Sequence, residues 1–121
     1  MTVASDILDL YGMAQKSRLL QGTLDMLVLR ALSGTQLHGW EITLKLEQLS
    51  RQALRVEEGS LYPALYRMED KGWLKAEWRT TEKGQRAKYY SLTRSGQRQL
   101  AVERENWERM AGIIASVMGA A

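Results

Sequence analysis

The chain is 121 residues long, contains no cysteine and carries a formal net charge of +3. This length gives one domain a modest core, the lack of cysteine excludes disulfides and thiolate metal sites, and so small a charge does not identify a nucleic-acid partner by itself. Because no apolar run approaches the ~20 residues of a membrane span and the N-terminus lacks the features of a secretory signal, we expect a soluble, cytoplasmic protein with no membrane partner.

Two helices are predicted in the first third of the chain. Residues 5–18 can form an amphipathic helix, which we interpret as ancillary, through Ile7, Leu8, Tyr11 and Ala14. A stronger helix follows a cap at Thr23, and its predicted buried stripe is formed by Leu24, Leu27, Val28, Ala31 and Leu32.

A further helix is predicted to begin at His38, because Glu41 follows three residues later, as in a capping box. Its main apolar face is expected to hold Trp40, Leu44 and Leu49, with Ile42 and Leu46 beside it. The short apolar run at residues 54–56 is consistent with a small first strand.

Residues 58–71 predict a helix with two different faces. Leu61, Leu65 and Met68 recur at i, i+4 and i+7, so they are assigned to the core. The other side presents Ser60, Pro63, Arg67 and Asp70, with Tyr62 and Tyr66 on a flank. Pro63 removes one backbone hydrogen bond and crowds the carbonyl four residues earlier. Since that residue is the flexible Gly59, we expect a loosened first turn and not a broken helix.

A charged hairpin is predicted next, with strands over residues 74–80 and 86–93 joined by a tight turn at Lys83-Gly84. Alternation places Leu74, Ala76 and Trp78 on one face of the first strand, and Tyr90 and Leu92 inward on the second. Residues 79–98 contain six basic residues and one acid, a net of +5, so the rest of the chain carries −2. A charge run of this kind is by itself more often a solvated surface than a binding site.

The last predicted helix runs from Arg94 to about Met118, capped by Thr93. Leu100, Trp107 and Ile114 recur at sevens, with Met110 and Val117 at the intervening step, the pattern of a helix–helix seam. At 1.5 Å per residue this helix would be about 37 Å long. A small domain cannot cover such a helix alone, so we expect its apolar face to contact a second subunit.

The order of these elements predicts the fold. A helix followed by a basic hairpin is the plan of a winged helix, in which the helix enters a DNA major groove and the hairpin reaches a neighbouring groove or the backbone. We therefore predict a mainly α protein with a small β-hairpin wing (α+β): a winged helix-turn-helix plus a long C-terminal dimerisation helix. The predicted division is an ancillary helix at 1–19, the DNA-binding domain at 20–93 and the dimerisation helix at 94–121.

Four sequence blocks resemble the PadR family of transcriptional regulators, in the branch with one short C-terminal helix. The blocks are Gly22-Thr23-Leu24-Asp25-Met26-Leu27, Leu37-His38-Gly39-Trp40-Glu41-Ile42, Glu58-Gly59-Ser60-Leu61-Tyr62-Pro63-Ala64-Leu65 and Lys88-Tyr89-Tyr90-Ser91-Leu92-Thr93. The resemblance covers about residues 20–118 and rests on the order of the blocks. Trp40 stands where the family most often has tyrosine, a mild aromatic exchange. The resemblance implies a homodimeric repressor that binds a palindromic operator in double-stranded DNA.

The resemblance also implies which residues contact DNA. The major-groove set is Ser60, Tyr62, Pro63, Tyr66 and Arg67, and the wing set, directed to the minor groove or its phosphates, is Lys83, Arg86 and Lys88. Arg67 is our first candidate for a guanine edge, although a phosphate contact or a surface pair with Asp70 or Glu69 is slightly favoured. For Tyr62, a phosphate contact and packing across the helix start are equally favoured. We expect Arg86 and Lys88 to attract DNA without sequence preference.

The C-terminal helix carries the predicted dimer interface, which comprises Leu100, Trp107, Met110, Ile114 and Val117. In some members of the resembled family, a tail-helix tryptophan lines an apolar pocket between subunits that accepts flat aromatic drugs. By that resemblance, a small apolar or aromatic effector would bind a pocket formed by Trp107, Met110, Ile114 and Tyr11, with Ile7 and Leu8 as further walls. A role in the dimer core is the more common one for such a tryptophan.

Other classes of function are disfavoured. With one histidine, no cysteine and no glycine-rich loop, the chain assembles no catalytic constellation, so we predict no enzyme and no cofactor. His38 is better explained as a helix cap than as a metal ligand, since no second ligand of similar character accompanies it, and we predict no metal site. The alternative is a protein–protein adaptor that keeps a winged helix without binding DNA, against which the basic hairpin argues.

Overall fold

The structure, a computed structural model, describes residues 22–119. These residues form a helix over 22–31 (α1) and then, in order, β1 (Leu37–His38), α2 (Gly39–Leu49), α3 (Glu58–Asp70), β2 (Leu74–Thr80), β3 (Arg86–Leu92) and α4 (Arg94–Met118). The predicted α+β winged-helix class is confirmed. The ancillary helix predicted over 5–18, with Tyr11, lies outside the described residues.

The three strands form one antiparallel sheet in the order β1-β3-β2. β2 and β3 pair from Leu74 opposite Leu92 to Thr80 opposite Arg86, close to the predicted hairpin. The first strand predicted at residues 54–56 is wrong. That role belongs to Leu37–His38, which pairs with Tyr90 and Tyr89 on the other edge of β3. A strand of two residues is too short to show alternation in a sequence.

The core lies between α1, α2, α3 and the inner face of the sheet. Leu61, Leu65 and Met68 of α3 are fully buried, as predicted. Around them are Val28, Leu29 and Ala31 of α1, Leu32 directly after this helix, and Leu74 and Tyr90 of the sheet. The prediction for α2 is wrong: Ile42 and Leu46 enter the core, whereas Trp40, Leu44 and Leu49 are about half exposed. Both stripes have helical spacing, and only the position of α3 and the sheet selects between them.

Local capping signals fixed the starts of two helices as predicted. The His38 imidazole Nδ1 accepts from the Glu41 backbone N–H, and the His38 backbone N–H donates to the Glu41 carboxylate at 3.1 Å. The Thr93 hydroxyl accepts from the backbone N–H of Gly96 at 3.0 Å and donates to the Gly72 carbonyl at 2.6 Å. These bonds attach the start of α4 to the turn between α3 and β2.

Candidate nucleic-acid interface

The outward face of α3 is accessible and polar. Ser60 and Pro63 are exposed, and Tyr66 is 58% exposed, while the opposite face of the helix is buried in the core. The helix continues through Pro63, as predicted, and its first turn includes a short-range bond from the Ser60 N–H to the Glu57 carbonyl at 3.0 Å. These three side chains are therefore available to a partner on the surface of α3.

Tyr62 is held against the start of α2. A Cβ atom added to Gly39 would lie 2.7 Å from the Tyr62 hydroxyl oxygen, so the lack of a side chain at Gly39 makes room for the ring. Burial raises the pKa of the Tyr62 phenol, and the nearby Glu58 carboxylate adds to this shift. The structure thus shows the packing role for Tyr62. A phosphate contact from its hydroxyl stays a prediction.

Arg67 is turned away from the exposed face of α3. Its guanidinium donates to the carboxylate of Asp25 in α1, which is almost completely buried. Burial raises the pKa of the Asp25 carboxyl, although Arg67 acts in the opposite direction. The surface pair predicted with Asp70 or Glu69 is wrong. This charge pair joins α3 to α1. A contact of Arg67 with a guanine edge or a phosphate stays a prediction.

Lys88 also has a partner within the fold. Its ammonium donates to Glu69 of α3 at 2.8 Å and lies 5.5 Å from the ring centres of Tyr66 and Tyr90. The bond to Glu69 raises the pKa of the Lys88 ammonium. This arrangement joins the wing to α3. The predicted contact of Lys88 with DNA stays a prediction.

The tip of the wing is closed by a well-defined turn. The Thr81 N–H donates to the Gln85 carbonyl at 2.6 Å, and Gly84 has a positive φ of 81°, which glycine adopts without strain. Lys83 and Arg86 are exposed at this tip, as predicted. Trp78, which alternation placed on the same strand face as Leu74 and Ala76, is 58% exposed because the core ends before its position on β2. The Arg86 guanidinium lies 5.7 Å from the Trp78 ring centre.

The wing and the two neighbouring helices enclose an open cleft of about 740 Å³. Its walls include Trp40 from α2, Tyr62 and Tyr66 from α3, and Trp78 and Arg86 from the wing. Sequence reasoning missed Trp40 and Trp78 as members of this surface. The signal was present, since both are large aromatic residues on elements next to the predicted recognition helix.

α4 presents a long apolar surface. Trp107, Met110, Ile114 and Val117 are each about half exposed or more, as the predicted seam requires. Leu100, which was expected in the same seam, packs into the core of its own chain. Three further apolar residues are exposed along the helix, and sequence reasoning missed them because they lie outside the heptad positions: Val102, Ile113 and Met118.

A family model described as the transcriptional regulator PadR-like family matches residues 28–102. The chain belongs to the PadR-like family of transcriptional regulators. The resemblance drawn from its four sequence blocks is therefore confirmed, and this PadR-like chain is a transcriptional regulator and not an enzyme.

Individual relatives agree with this assignment. The transcriptional regulator Rv3488 of Mycobacterium tuberculosis (strain ATCC 25618 / H37Rv) is 33% identical over 84 residues, covering 69% of this chain and 75% of that protein. The structure of a transcriptional regulator from Clostridium thermocellum is similar with a TM-score of 0.74 at 25% identity, covering 82% of this chain and 96% of that chain. A PadR family transcriptional regulator from Eggerthella lenta DSM 2243 has a TM-score of 0.73 at 26% identity, covering 98% and 97%.

Two further properties of the PadR-like chain concern residues 22–119. Every helix in this range is too short or too polar to span a lipid bilayer. The same range holds no cluster of three or more His, Cys, Asp or Glu side chains arranged to bind a metal ion.

Proposed function

We propose that this PadR-like regulator binds a palindromic operator in double-stranded DNA as a homodimer and represses transcription from it. In this proposal α3 enters the major groove and the wing reaches the adjacent minor groove. One observation carries it: the exposed face of α3 and the basic tip of the wing border the same cleft. A DNA strand that separates a major from a minor groove would lie in that cleft.

The proposed contacts divide into two kinds. Ser60, Pro63 and Tyr66 are exposed on α3 and supply the surface that faces base edges. Lys83 and Arg86 at the wing supply cations near the phosphates. The other three predicted residues, Tyr62, Arg67 and Lys88, support this surface from within the fold. Tyr62 packs against Gly39, and Arg67 and Lys88 each pair with a carboxylate.

The proposed dimer forms through α4. A helix that exposes Trp107, Met110, Ile114 and Val117 on one chain leaves a contiguous apolar surface in water, and such surfaces mark protein–protein contacts. Two chains related by a two-fold axis would bury this surface and present two copies of α3. Because one copy covers one half-site, the dimer accounts for an operator with two-fold symmetry.

We also propose that a small apolar or aromatic effector binds beside Trp107, Met110 and Ile114 in the dimer. Trp107 gives this proposal a direct test, because its fluorescence would change when a flat aromatic compound stacks on it. A variant with Trp107 as its only tryptophan, shown to be folded, should respond to at least one member of a panel of planar compounds. No response from any compound would remove the effector from the proposal.

The experiment that tests the proposed function is selection of bound duplexes from a random DNA pool. A homodimer that reads two half-sites should enrich a consensus with two-fold symmetry. Its affinity for the enriched duplex should fall steeply with rising salt, because phosphate contacts release counterions. Failure to enrich any sequence, together with binding that salt does not weaken, would favour the adaptor alternative.

A further inference from the structure

We propose that Arg86, held in place by Trp78, reads the width of the DNA minor groove beside each half-site and gives this regulator a preference for A·T pairs there. The inference rests on the proposed DNA-binding function and deepens it. It assigns Arg86 as a specificity-determining residue and Trp78 as the residue that positions it. It also replaces the expectation that Arg86 attracts DNA without sequence preference.

The first observation is the position of both residues on the hairpin. Alternate pairs along the hairpin share one face, and from base to tip they are Leu74 with Leu92, Ala76 with Tyr90, Trp78 with Lys88 and Thr80 with Arg86. Leu74 and Tyr90 are buried, whereas Trp78 is 58% exposed and Arg86 is exposed. Trp78 and Arg86 therefore extend, beyond the edge of the core, the same sheet face that packs against α3.

The second observation is the contact between the two side chains. The Arg86 guanidinium lies 5.7 Å from the Trp78 ring centre, within the range of a cation–π contact. A guanidinium is planar and weakly hydrated, so it stacks on an indole and still leaves its N–H groups free at the edge. Trp78 thus restricts the rotamers of Arg86 before DNA binds, which reduces the entropy lost when the side chain enters a narrow groove.

The third observation is that the wing is attached to α3. Lys88 lies next to Arg86 on this face, and its bond to Glu69 is 2.8 Å long. The turn at the tip is closed by backbone bonds between Thr81 and Gln85 and between Thr81 and Gly84. The distance from α3 to Arg86 is therefore fixed by the fold, and Arg86 meets the same groove position whenever α3 occupies a major groove.

The chemistry of the minor groove supplies the selectivity. A·T-rich DNA has a narrow minor groove with enhanced negative potential, which favours an inserted arginine. A G·C pair places the N2 amino group of guanine in that groove, where it obstructs and repels a cation. A side chain held at one position distinguishes these cases, whereas the long flexible stem of a lysine such as Lys83 lets its ammonium reach the nearest phosphate.

The test compares selection from a random DNA pool for the wild-type chain and for three variants: Arg86→Lys, Trp78→Ala and Lys83→Ala. The wild-type consensus should contain A·T-rich blocks beside the half-sites. Arg86→Lys keeps the charge but loses the planar guanidinium, so the half-sites should remain while the A·T blocks disappear. Trp78→Ala should act in the same direction. Lys83→Ala is the matched control and should weaken binding to all sequences while the blocks remain.

A second measurement isolates the minor groove. The enriched duplex is made with A·T, G·C or inosine·C pairs in the flanking blocks; inosine·C keeps the major-groove face of G·C but lacks the N2 amino group. The wild-type chain should bind the A·T and inosine·C duplexes alike and the G·C duplex roughly five- to tenfold more weakly, near the low end of the effect of one disfavoured pair. Arg86→Lys should bind all three alike.

The outcomes separate the two proposals. If the half-sites are enriched but the flanks show no preference, or if Arg86→Lys keeps the preference, the inference is overturned and the proposed function stands. If inosine·C behaves as G·C does, the preference arises outside the minor groove and Arg86 is not its source. If the wild-type chain enriches no sequence at all, the proposed function fails, and this inference fails with it.

Discussion

Three basic side chains on the proposed DNA-binding half of the molecule have different surroundings. Arg67 pairs with the buried Asp25, Lys88 pairs with Glu69, and Arg86 lies over the exposed ring of Trp78. Only the last leaves its charge fully available to DNA. Net charge along the sequence therefore overstates the number of phosphate contacts, because a cation already paired with a carboxylate releases few counterions from DNA.

This difference predicts unequal effects on salt dependence. Arg86→Ala should weaken binding at low salt, most of all for duplexes with A·T blocks beside the half-sites, and should reduce the slope of log affinity against log salt by roughly 1. Lys88→Met keeps the aliphatic stem and should leave that slope near the wild-type value, even where affinity falls. Titration of a labelled duplex at several salt concentrations measures both. Equal slope changes in the two variants would show that Lys88 contacts a phosphate.

The Asp25–Arg67 pair predicts a pH dependence of stability. Burial raises the pKa of the Asp25 carboxyl, so the folded chain holds this proton to a higher pH than the unfolded chain does. The contribution of this proton to the free energy of unfolding is greatest in acid and is lost as the pH rises through the raised pKa. Compared with Asp25→Asn, the wild-type chain should therefore gain stability when the pH falls from neutral to about 4.

Urea unfolding of the two chains at each pH measures that difference. Arg67→Lys is a useful companion variant, because it keeps a charge without the planar donor group. The raised pKa of Asp25 would be contradicted if the free energy of unfolding of the wild type, relative to Asp25→Asn, increased as the pH rose to neutral.

At the scale of elements, the joint between α4 and the winged-helix domain depends on close backbone packing. Gly96 is buried, and a Cβ atom added there would clash with the backbone carbonyl of Trp73. The same carbonyl accepts the Thr93 N–H at 3.0 Å. A side chain at position 96 would therefore push the first turn of α4 away from its attachment.

We expect Gly96→Ala to destabilise the chain by about 1–3 kcal/mol, the usual cost of overpacking a tight site. Gly112 lies in the same helix, and an added Cβ atom there would meet open space, so it provides the matched control. Gly112→Ala should instead stabilise the chain by up to about 1 kcal/mol through helix propensity. Thermal unfolding compares them, and equal shifts in the midpoint for the two variants would contradict the proposed joint.

Sequence patterns predicted these elements well where the signal is local. The caps at His38 and Thr93, the core stripe of α3 and the hairpin all depend on residues a few positions apart, and the structure confirms them. The failures involve long-range choices. Which stripe of α2 enters the core, and which segment pairs with β3, depends on elements far away in the sequence.

The candidate DNA-binding site shows the same difference between local signals, which the sequence contains, and long-range contacts, which it does not reveal. The exposed face of α3 followed from helical spacing, but the partner of Arg67 is 42 residues away and that of Lys88 is 19 residues away. Spacing along one element cannot reveal such partners, because they exist only after α3 has packed against α1 and the wing. The exposure of Trp78 was missed for a related reason, since alternation gives the face of a residue but not where the core ends.

At the scale of the whole molecule, α4 is the element that joins two winged helices in the proposed dimer, so that each can read one half-site. Leu100 fixes the start of this helix in its own core, and the apolar residues from Trp107 onward extend away from that core. Attachment and proposed dimerisation therefore occupy different parts of one helix. This separation allows each to be changed independently.

Replacing Trp107 and Ile114 together with glutamate should convert the dimer to a folded monomer, because burying two carboxylates in an apolar interface is strongly unfavourable. Operator affinity should be lost in parallel. Gln97→Glu, at an exposed polar position of the same helix, is the control and should leave the dimer unchanged. Sedimentation velocity distinguishes the species, and a stable dimer in the double variant would place the interface elsewhere.

The number of chains bound to one operator duplex tests the proposed symmetric dimer most directly. Sedimentation equilibrium with a labelled duplex from the selection measures it. We expect two chains on a duplex with both half-sites, bound in one cooperative step, and markedly weaker binding when one half-site is scrambled. One chain per duplex, bound equally well with either half-site scrambled, would contradict the proposal that a dimer joined through α4 reads symmetric DNA.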